Sequence, residues 1–334
     1  MTFLPRIAYP ASRQRQNFLD LIKQGYWSPH TASVDHCELN YSKSEWIAEY
    51  YNTITSLVIG ERSHYDAEGI DEPAQPLKLF TLMYQVILGM QAFASSIRQK
   101  FPKRFRIVSF GIVMLGITSS LHHATLDFKI QLLDELVVVW LTSLVAWIVW
   151  DMTPVAQVAN WHTRITMIIV NAVFTILHAL RRDPVLMELY HGWTSVLLTA
   201  RLGQLLMSNA PPDSKGVQEG RRMIRSAASL GGFALIAHKA DRSFCIPSTA
   251  LKILVLPRLA FLLEGHAWSH VLTGLSLQRL IFGISLITMS IRDDPAHWVG
   301  MTCGWIEVVE RTEQGWKALE KDSSSSRREI TQAA

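Results

Sequence analysis

Residues 107–150 read IVSFGIVMLGITSSLHHATLDFKIQLLDELVVVWLTSLVAWIVW. Two apolar runs, Ile107–Leu121 and Leu132–Trp150, flank a short polar junction. Runs of this kind suit membrane helices, and inside lipid a helix satisfies its own backbone hydrogen bonds. The junction carries unusual chemistry. Ser119, His122, His123 and Asp134 sit where the two runs meet, at membrane depth. Polar and ionisable groups there are costly and mark function by default.

The same pattern continues outward. A first apolar segment begins near Trp46, runs to about Ile59, is interrupted, and resumes over Leu77–Ser95. Later runs are Ile165–Leu180, Leu186–Leu206, Met223–Ala237 and His266–Ile291. With the first two pieces counted as one helix, the expectation is an all-α polytopic membrane protein: a seven-transmembrane helix bundle with an intramembrane metal site. Leu251–Leu263 is broken by Pro257 and Arg258 and reads as a loop or interfacial helix. Composition agrees. Hydrophobic residues make up 49% and charged residues only 18% of 334, a balance a soluble domain rarely concentrates in repeated apolar runs. The net charge of +4 is small, and the basic residues lie at the ends of apolar runs. They read as membrane-flanking charges and exclude a nucleic-acid patch. Met1–Gly25 lacks the apolar core of a cleavable signal peptide, so the first membrane helix is expected to serve as targeting signal.

Three regions follow: residues 1–45, a polar and aromatic N-terminal segment; residues 46–291, the transmembrane domain; and residues 292–334, a charged tail. Within the tail, Ser323–Ser326 with Arg327 and Arg328 reads as disordered. The interruption Gly60–Pro76 holds five acidic residues and two prolines, so it does not sit in lipid. It is either a loop between two helices, giving eight spans, or an insertion in one helix. Insertion is favoured, because removing about Gly60–Gln85 joins Trp46–Ile59 to Val86–Ile97 as one membrane-length helix. Lys and Arg set the orientation. Arg98, Lys100, Lys103, Arg104 and Arg106 follow the first span, and Lys215, Arg221, Arg222 and Arg225 follow the fifth. The tail is therefore expected to be cytosolic and the N-terminus luminal, although Lys239, Arg242, Lys252 and Arg258 fall on the luminal side.

In that topology the end of span two, the start of span three and the start of span seven share one membrane face. His123, Asp134, His266 and His270 occupy those places. His266 and His270 are four apart and share a helix face. Three imidazoles suit zinc and leave a position for water, whose pKa the metal lowers. Asp134 could take the water's proton, and Ser119, one turn before His123, could donate to an oxyanion. His122 is an alternative ligand to His123. Single membrane histidines are more often helix–helix hydrogen-bond partners, the role expected of His178 and His191.

Three ordered blocks resemble the alkaline ceramidases, in the membrane hydrolase superfamily that also contains adiponectin receptors. They are GYWSPHTASVDHCELNYSKSEWIAEYYNT (Gly25–Thr53), SSLHHATLDFKIQLLDEL (Ser119–Leu136) and HAWSHVLTG (His266–Gly274). The resemblance implies seven helices, a zinc ion and hydrolysis of ceramide, or its dihydro- or phyto- forms, to a sphingoid base and a fatty acid. Aligned on Thr125–Leu126, it implies His123, His266 and His270 as zinc ligands, with Ser119 and Asp134 catalytic. It implies a calcium site at Asp35, His36 (through its backbone carbonyl), Glu38, Asn40 and Glu49. Hard oxygen donors of this kind suit calcium; the plainer alternative is a polar loop in which Asp35 or Asn40 caps the first helix. It further implies a Cys37–Cys245 disulfide and residence in the endoplasmic reticulum or Golgi; the expected topology places both cysteines on the non-cytosolic, oxidising side and leaves Cys303 reduced in the cytosolic tail. Leu39, Val137 and Ser269 depart from the family pattern, where an acidic residue, a proline and an aromatic residue are common. The competing functions are hydrolysis or reverse acylation of another lipid or specialised metabolite, and a receptor-like role in the same superfamily. Three protein ligands argue against a purely structural zinc.

Overall fold

A computed structural model describes residues 24–56, 85–150, 160–181, 183–208, 214–254, 257–303 and 306–321. Its helices are α1 (Tyr50–Ser56), α2 (Gln85–Arg98), α3 (Lys103–Thr125), α4 (Phe128–Trp150), α5 (Asn160–Arg181), α6 (Pro184–Ser208), α7 (Lys215–Ser243), α8 (Cys245–Leu254) and α9 (Gly265–Arg292). A 3₁₀ turn, Pro257–Leu263, precedes α9, and a hairpin of β1 (Trp298–Cys303) and β2 (Ile306–Arg311) follows it.

The polar junction between the two apolar runs is a tight reversal. Leu126 adopts a left-handed conformation (φ 48°) and its N–H donates to His122 O at 2.7 Å, which closes α3. Asp127 then caps α4, its Oδ1 accepting Lys129 N at 2.8 Å and Ile130 N at 3.3 Å. The last carbonyls of α3 would otherwise lack partners. The N-terminal loop supplies them: Ala48 N donates to Ala124 O at 2.9 Å and Glu49 N to His123 O at 3.0 Å. The loop is thereby fixed against the turn of α3 that carries His123.

Four described helices are long and apolar enough to cross a membrane: α3, α4, residues 164–181 of α5, and residues 265–291 of α9. α5 and α6 expose Ile168, Ile176, Leu180, Leu189 and Trp193, apolar side chains that suit lipid contact. The first segment is divided between α1 and α2. Both pack on α3 at Gly116, where a Cβ would lie 3.0 Å from Ser56 O and 3.0 Å from Val86 N. The end of α1 and the start of α2 therefore meet over one residue. The acidic interruption lies outside the described residues, as does the Ser323–Ser326 tract.

α9 packs closely against α7 along small residues. A Cβ on Gly220 would lie 2.9 Å from Gly283 O, and the reverse separation is the same, so backbones approach as they do in small-residue membrane interfaces. α7 begins eight residues before the expected apolar run at Met223. Its second turn is tied to the hairpin by an ion pair, Arg222 Nη2 to Glu307 Oε2 at 2.9 Å.

The structure amends one expectation. The tail is not only a charged extension: β1 and β2 pair antiparallel, Trp298 opposite Arg311, and pack Trp298 and Val309 into the bundle's core. The all-α expectation therefore holds for the bundle and not for the tail. Leu251–Leu263, expected as a loop or interfacial helix, spans the end of α8 and the 3₁₀ turn. Cys37 is bonded to Cys245, with Cα atoms 5.3 Å apart, tying the N-terminal loop to α8.

Candidate metal centre

The last turn of α3 carries His123, and the first turns of α9 carry His266 and His270. His123 Nε2 lies 3.0 Å from His270 Nε2 and 3.4 Å from His266 Nε2. One ring nitrogen from each of the three falls within 4.8 Å of the others. Zinc–nitrogen bonds of about 2.0–2.1 Å in tetrahedral array set donor atoms roughly 3.3 Å apart, so the three imidazoles fit such an ion. Of the adjacent pair, His123 faces His266 and His270. His122 sits to the side, its buried Nδ1 without a hydrogen-bond partner among the described residues, although its ring nitrogen, with those of His36 and His123, forms a second possible metal-holding group.

The opposite edges of two of these rings are held. Glu49 Oε2 is 2.5 Å from His123 Nδ1, an arrangement that leaves Nε2 free to ligate. Glu49 is itself anchored, accepting His36 N at 2.9 Å and Asn52 Nδ2 at 3.0 Å. His266 Nδ1 lies 2.9 Å from Nδ1 of His238 on α7, and the His36 ring stacks on His266 at 3.5 Å and 13°. These supporting contacts were not legible in the sequence. His238 has no periodic relation to the other histidines, and the ring of His36 was assigned no role.

Ser119 lies on α3 one turn before His123, and Asp134 lies on α4. Ser119 is buried and accepts a hydrogen bond from Ser56 Oγ at 3.2 Å. Thr118, its neighbour, donates to Asp134 Oδ1 at 3.1 Å. Asp134 is thus held beside the Ser119 turn, and Oδ2 has no hydrogen-bond donor among the described residues.

The acidic set of the N-terminal loop is gathered, but its oxygens have protein partners. Glu38 accepts Tyr51 N at 2.6 Å and Asn52 N at 2.9 Å, so Glu38, not Asp35 or Asn40, caps α1. Asn40 Nδ2 contacts both Asp35 carboxyl oxygens at 3.4 Å, while its buried Oδ1 has no partner among the described residues. Burial, followed by the charge of Glu49, raises Asp35 well above the usual carboxylate range. Burial, followed by the charges of Glu264 and Glu49, does the same for Glu38. Crowded acids and an orphaned amide oxygen are features a hard cation would relieve. Asp35, Glu38 and Glu49 do not form a three-ligand group of the histidine type among the described residues.

The two other membrane histidines diverge. His178 on α5 bonds Glu135 on α4, the helix–helix role expected of it. His191 Nε2 is buried with no partner among the described residues.

A family model described as Ceramidase matches residues 75–307. That stretch contains Ser119, His123, Asp134, His266 and His270 and begins after the acidic N-terminal loop. Alkaline ceramidase 3 of Mus musculus is 24% identical over 82% of this chain and 90% of its own length. Alkaline ceramidase YPC1 of Saccharomyces cerevisiae is 26% identical over 83% of this chain and 84% of its own. Alkaline ceramidase of Arabidopsis thaliana is 29% identical over 74% of this chain and 80% of its own.

Proposed function

The chain belongs to the ceramidase family, and on that premise we propose that it is a zinc-dependent hydrolase that cleaves the amide bond of ceramides within the membrane. Membership makes it a ceramide-cleaving amide hydrolase; the zinc, the residue roles and the substrate range are proposed. The observation that carries them is the convergence of three imidazole Nε2 atoms between α3 and α9.

A zinc ion held by His123, His266 and His270 would supply Lewis acidity, polarising the amide carbonyl and easing loss of a proton from water. Asp134 receives that proton at Oδ2, because Thr118 holds Oδ1. It then returns the proton to the departing amine nitrogen, so that sphingoid base and fatty acid leave with atoms balanced. Ser119, with Ser56 donating to its oxygen, keeps its own proton for the carbonyl oxygen as negative charge develops there. Glu49 fixes the His123 tautomer. The acyl and sphingoid chains enter from the bilayer among the apolar faces of the helices. Calcium at Asp35, the His36 carbonyl, Glu38, Asn40 and Glu49 would order the loop that carries Glu49.

The protein lies in the endoplasmic reticulum or Golgi membrane with a luminal N-terminus and cytosolic tail. The Cys37–Cys245 bond supports an oxidising face for the N-terminal loop. The decisive experiment incubates purified protein with ceramide, dihydroceramide and phytoceramide and measures free base and fatty acid by lipid mass spectrometry. Release of both, abolished by chelation and restored by zinc, is expected. Release unaffected by complete removal of zinc would overturn the proposed chemistry.

A further inference from the structure

We propose that His238 is a positioning residue for the ceramidase reaction: through a ring-to-ring hydrogen bond it fixes the tautomer and orientation of the metal ligand His266. The inference rests on the zinc reading above.

The two Nδ1 atoms are 2.9 Å apart, a hydrogen-bond distance, so one carries the proton and the other accepts it. If His266 ligates through Nε2, which faces His123 Nε2 at 3.4 Å, Nε2 must present its lone pair. A neutral His266 then has its proton on Nδ1 and donates. His238 must accept at Nδ1 and keep its own proton on Nε2. The opposite tautomer of His238 would place the proton of His266 on Nε2, where it blocks ligation. A single contact thus selects both tautomers. Glu49 plays the corresponding part for His123 with a carboxylate; His238 does so with a neutral ring, which adds no negative charge to the site.

The surrounding structure holds this pair in register. Gly265, immediately before His266, meets α7 so closely that a Cβ would lie 2.9 Å from Ala237 O and 3.2 Å from Asp241 Cβ. That approach is what brings the first turn of α9 to His238. The end of α7 is fastened in turn, since Asp241 Oδ2 accepts Cys37 N at 3.1 Å beside the Cys37–Cys245 bond. The His36 ring, stacked on His266, limits its tilt from the other side.

The test compares His238→Asn with His238→Leu in purified full-length protein. The amide oxygen of Asn falls near the Nδ1 position and accepts; Leu keeps volume and cannot. Zinc affinity is read by competition with a chromophoric chelator, coordination by the visible spectrum of the cobalt-substituted protein, and turnover as kcat and KM on ceramide. Loss of a hydrogen-bond partner behind a metal ligand weakens metal affinity or activity by roughly 10–100-fold. His238→Leu is expected to show that loss, with altered cobalt bands and a fall in kcat at little changed KM. His238→Asn is expected to stay within a few-fold of the parent on all three. Zinc-free melting of each variant separates this effect from misfolding, and the Asn variant alone suffices if Leu does not fold. Equal losses in Asn and Leu, or parental affinity and spectra in Leu, overturn the inference. So does a second zinc per chain that disappears in His238→Asn, which would make His238 a ligand. If the parent protein binds no zinc that His266→Ala removes, it is the zinc reading that fails.

Discussion

His122 and His123 are chemically identical neighbours, and about 100° of helix rotation separates their roles. His123 meets the two α9 histidines and Glu49, whereas the buried Nδ1 of His122 has no partner among the described residues. His123→Ala, His266→Ala and His270→Ala are each expected to abolish hydrolysis and to lower bound zinc, measured as metal per chain in purified protein. His122→Ala should leave both largely intact. Full turnover with stoichiometric zinc in His266→Ala would remove that residue from the centre. Asp134→Asn should keep its zinc and lose most turnover, since an amide does not accept the water's proton. Ser119→Ala should also keep the metal, with loss of one oxyanion donor worth roughly 3 kcal/mol, or about a hundredfold in rate. Parental rates in either variant would exclude it from the chemistry. The pairing of His266 with His270 could be read in the sequence because residues four apart share one face of a helix. The partners behind them could not. His238 and Glu49 reach the site through packing between segments remote in the chain, and no spacing rule encodes that.

At the level of elements, the helix boundaries around the junction follow from the apolar runs and from Asp127, a cap whose side chain names its own position. The hairpin escaped because its strands are short and its charges dominate the composition, although Glu307 is fully buried against Arg222 and Gln278. The divided first helix gives the sharpest prediction here. Ser56 O and Val86 N converge on Gly116. In a chain lacking residues 59–84, Val86 would be the fourth residue after Ser56, the separation of a helical C=O···H–N pair. Such a deletion also keeps Gln85, whose Nε2 donates to His270 O at 3.1 Å. The deletion variant is expected to melt at or above the parent temperature by circular dichroism and to retain ceramide turnover within a few-fold. A variant that does not fold would show the segment to be a true connection between two helices.

Across the whole molecule, the N-terminal loop touches nearly everything that shapes the site. It covers the end of α3 through Ala48 and Glu49 and reaches α7 and α8 through Cys37. It also lays the His36 ring on His266. Anything that orders the loop therefore orders two of the three clustered histidines, His123 by way of Glu49 and His266 by way of His36. Asp35 and Glu38 hold protons more tightly in the folded protein than carboxyls ordinarily do, chiefly through burial. Their effect on stability has a definite sign. A carboxyl whose folded pKa is raised favours the fold fully below its unfolded pKa, and that contribution is lost as pH rises through the raised value. Calcium-free protein should accordingly lose stability as pH climbs above the usual carboxylate range. Calcium competes with protons for the same oxygens, so it should raise the melting temperature most at the alkaline end and increase turnover there. Glu38→Ala should bind calcium poorly, melt lower because α1 loses its cap, and lose calcium dependence while keeping zinc. Glu49→Ala should likewise bind calcium poorly and lose calcium dependence, but unlike Glu38→Ala it should also weaken zinc, because it releases His123 Nδ1. The measurement is a pair of melting and turnover series across pH, with calcium buffered and zinc content checked after each. Identical melting and turnover with and without calcium at every pH would leave the carboxylates as a helix cap alone, and the loop would then order the centre without a cation.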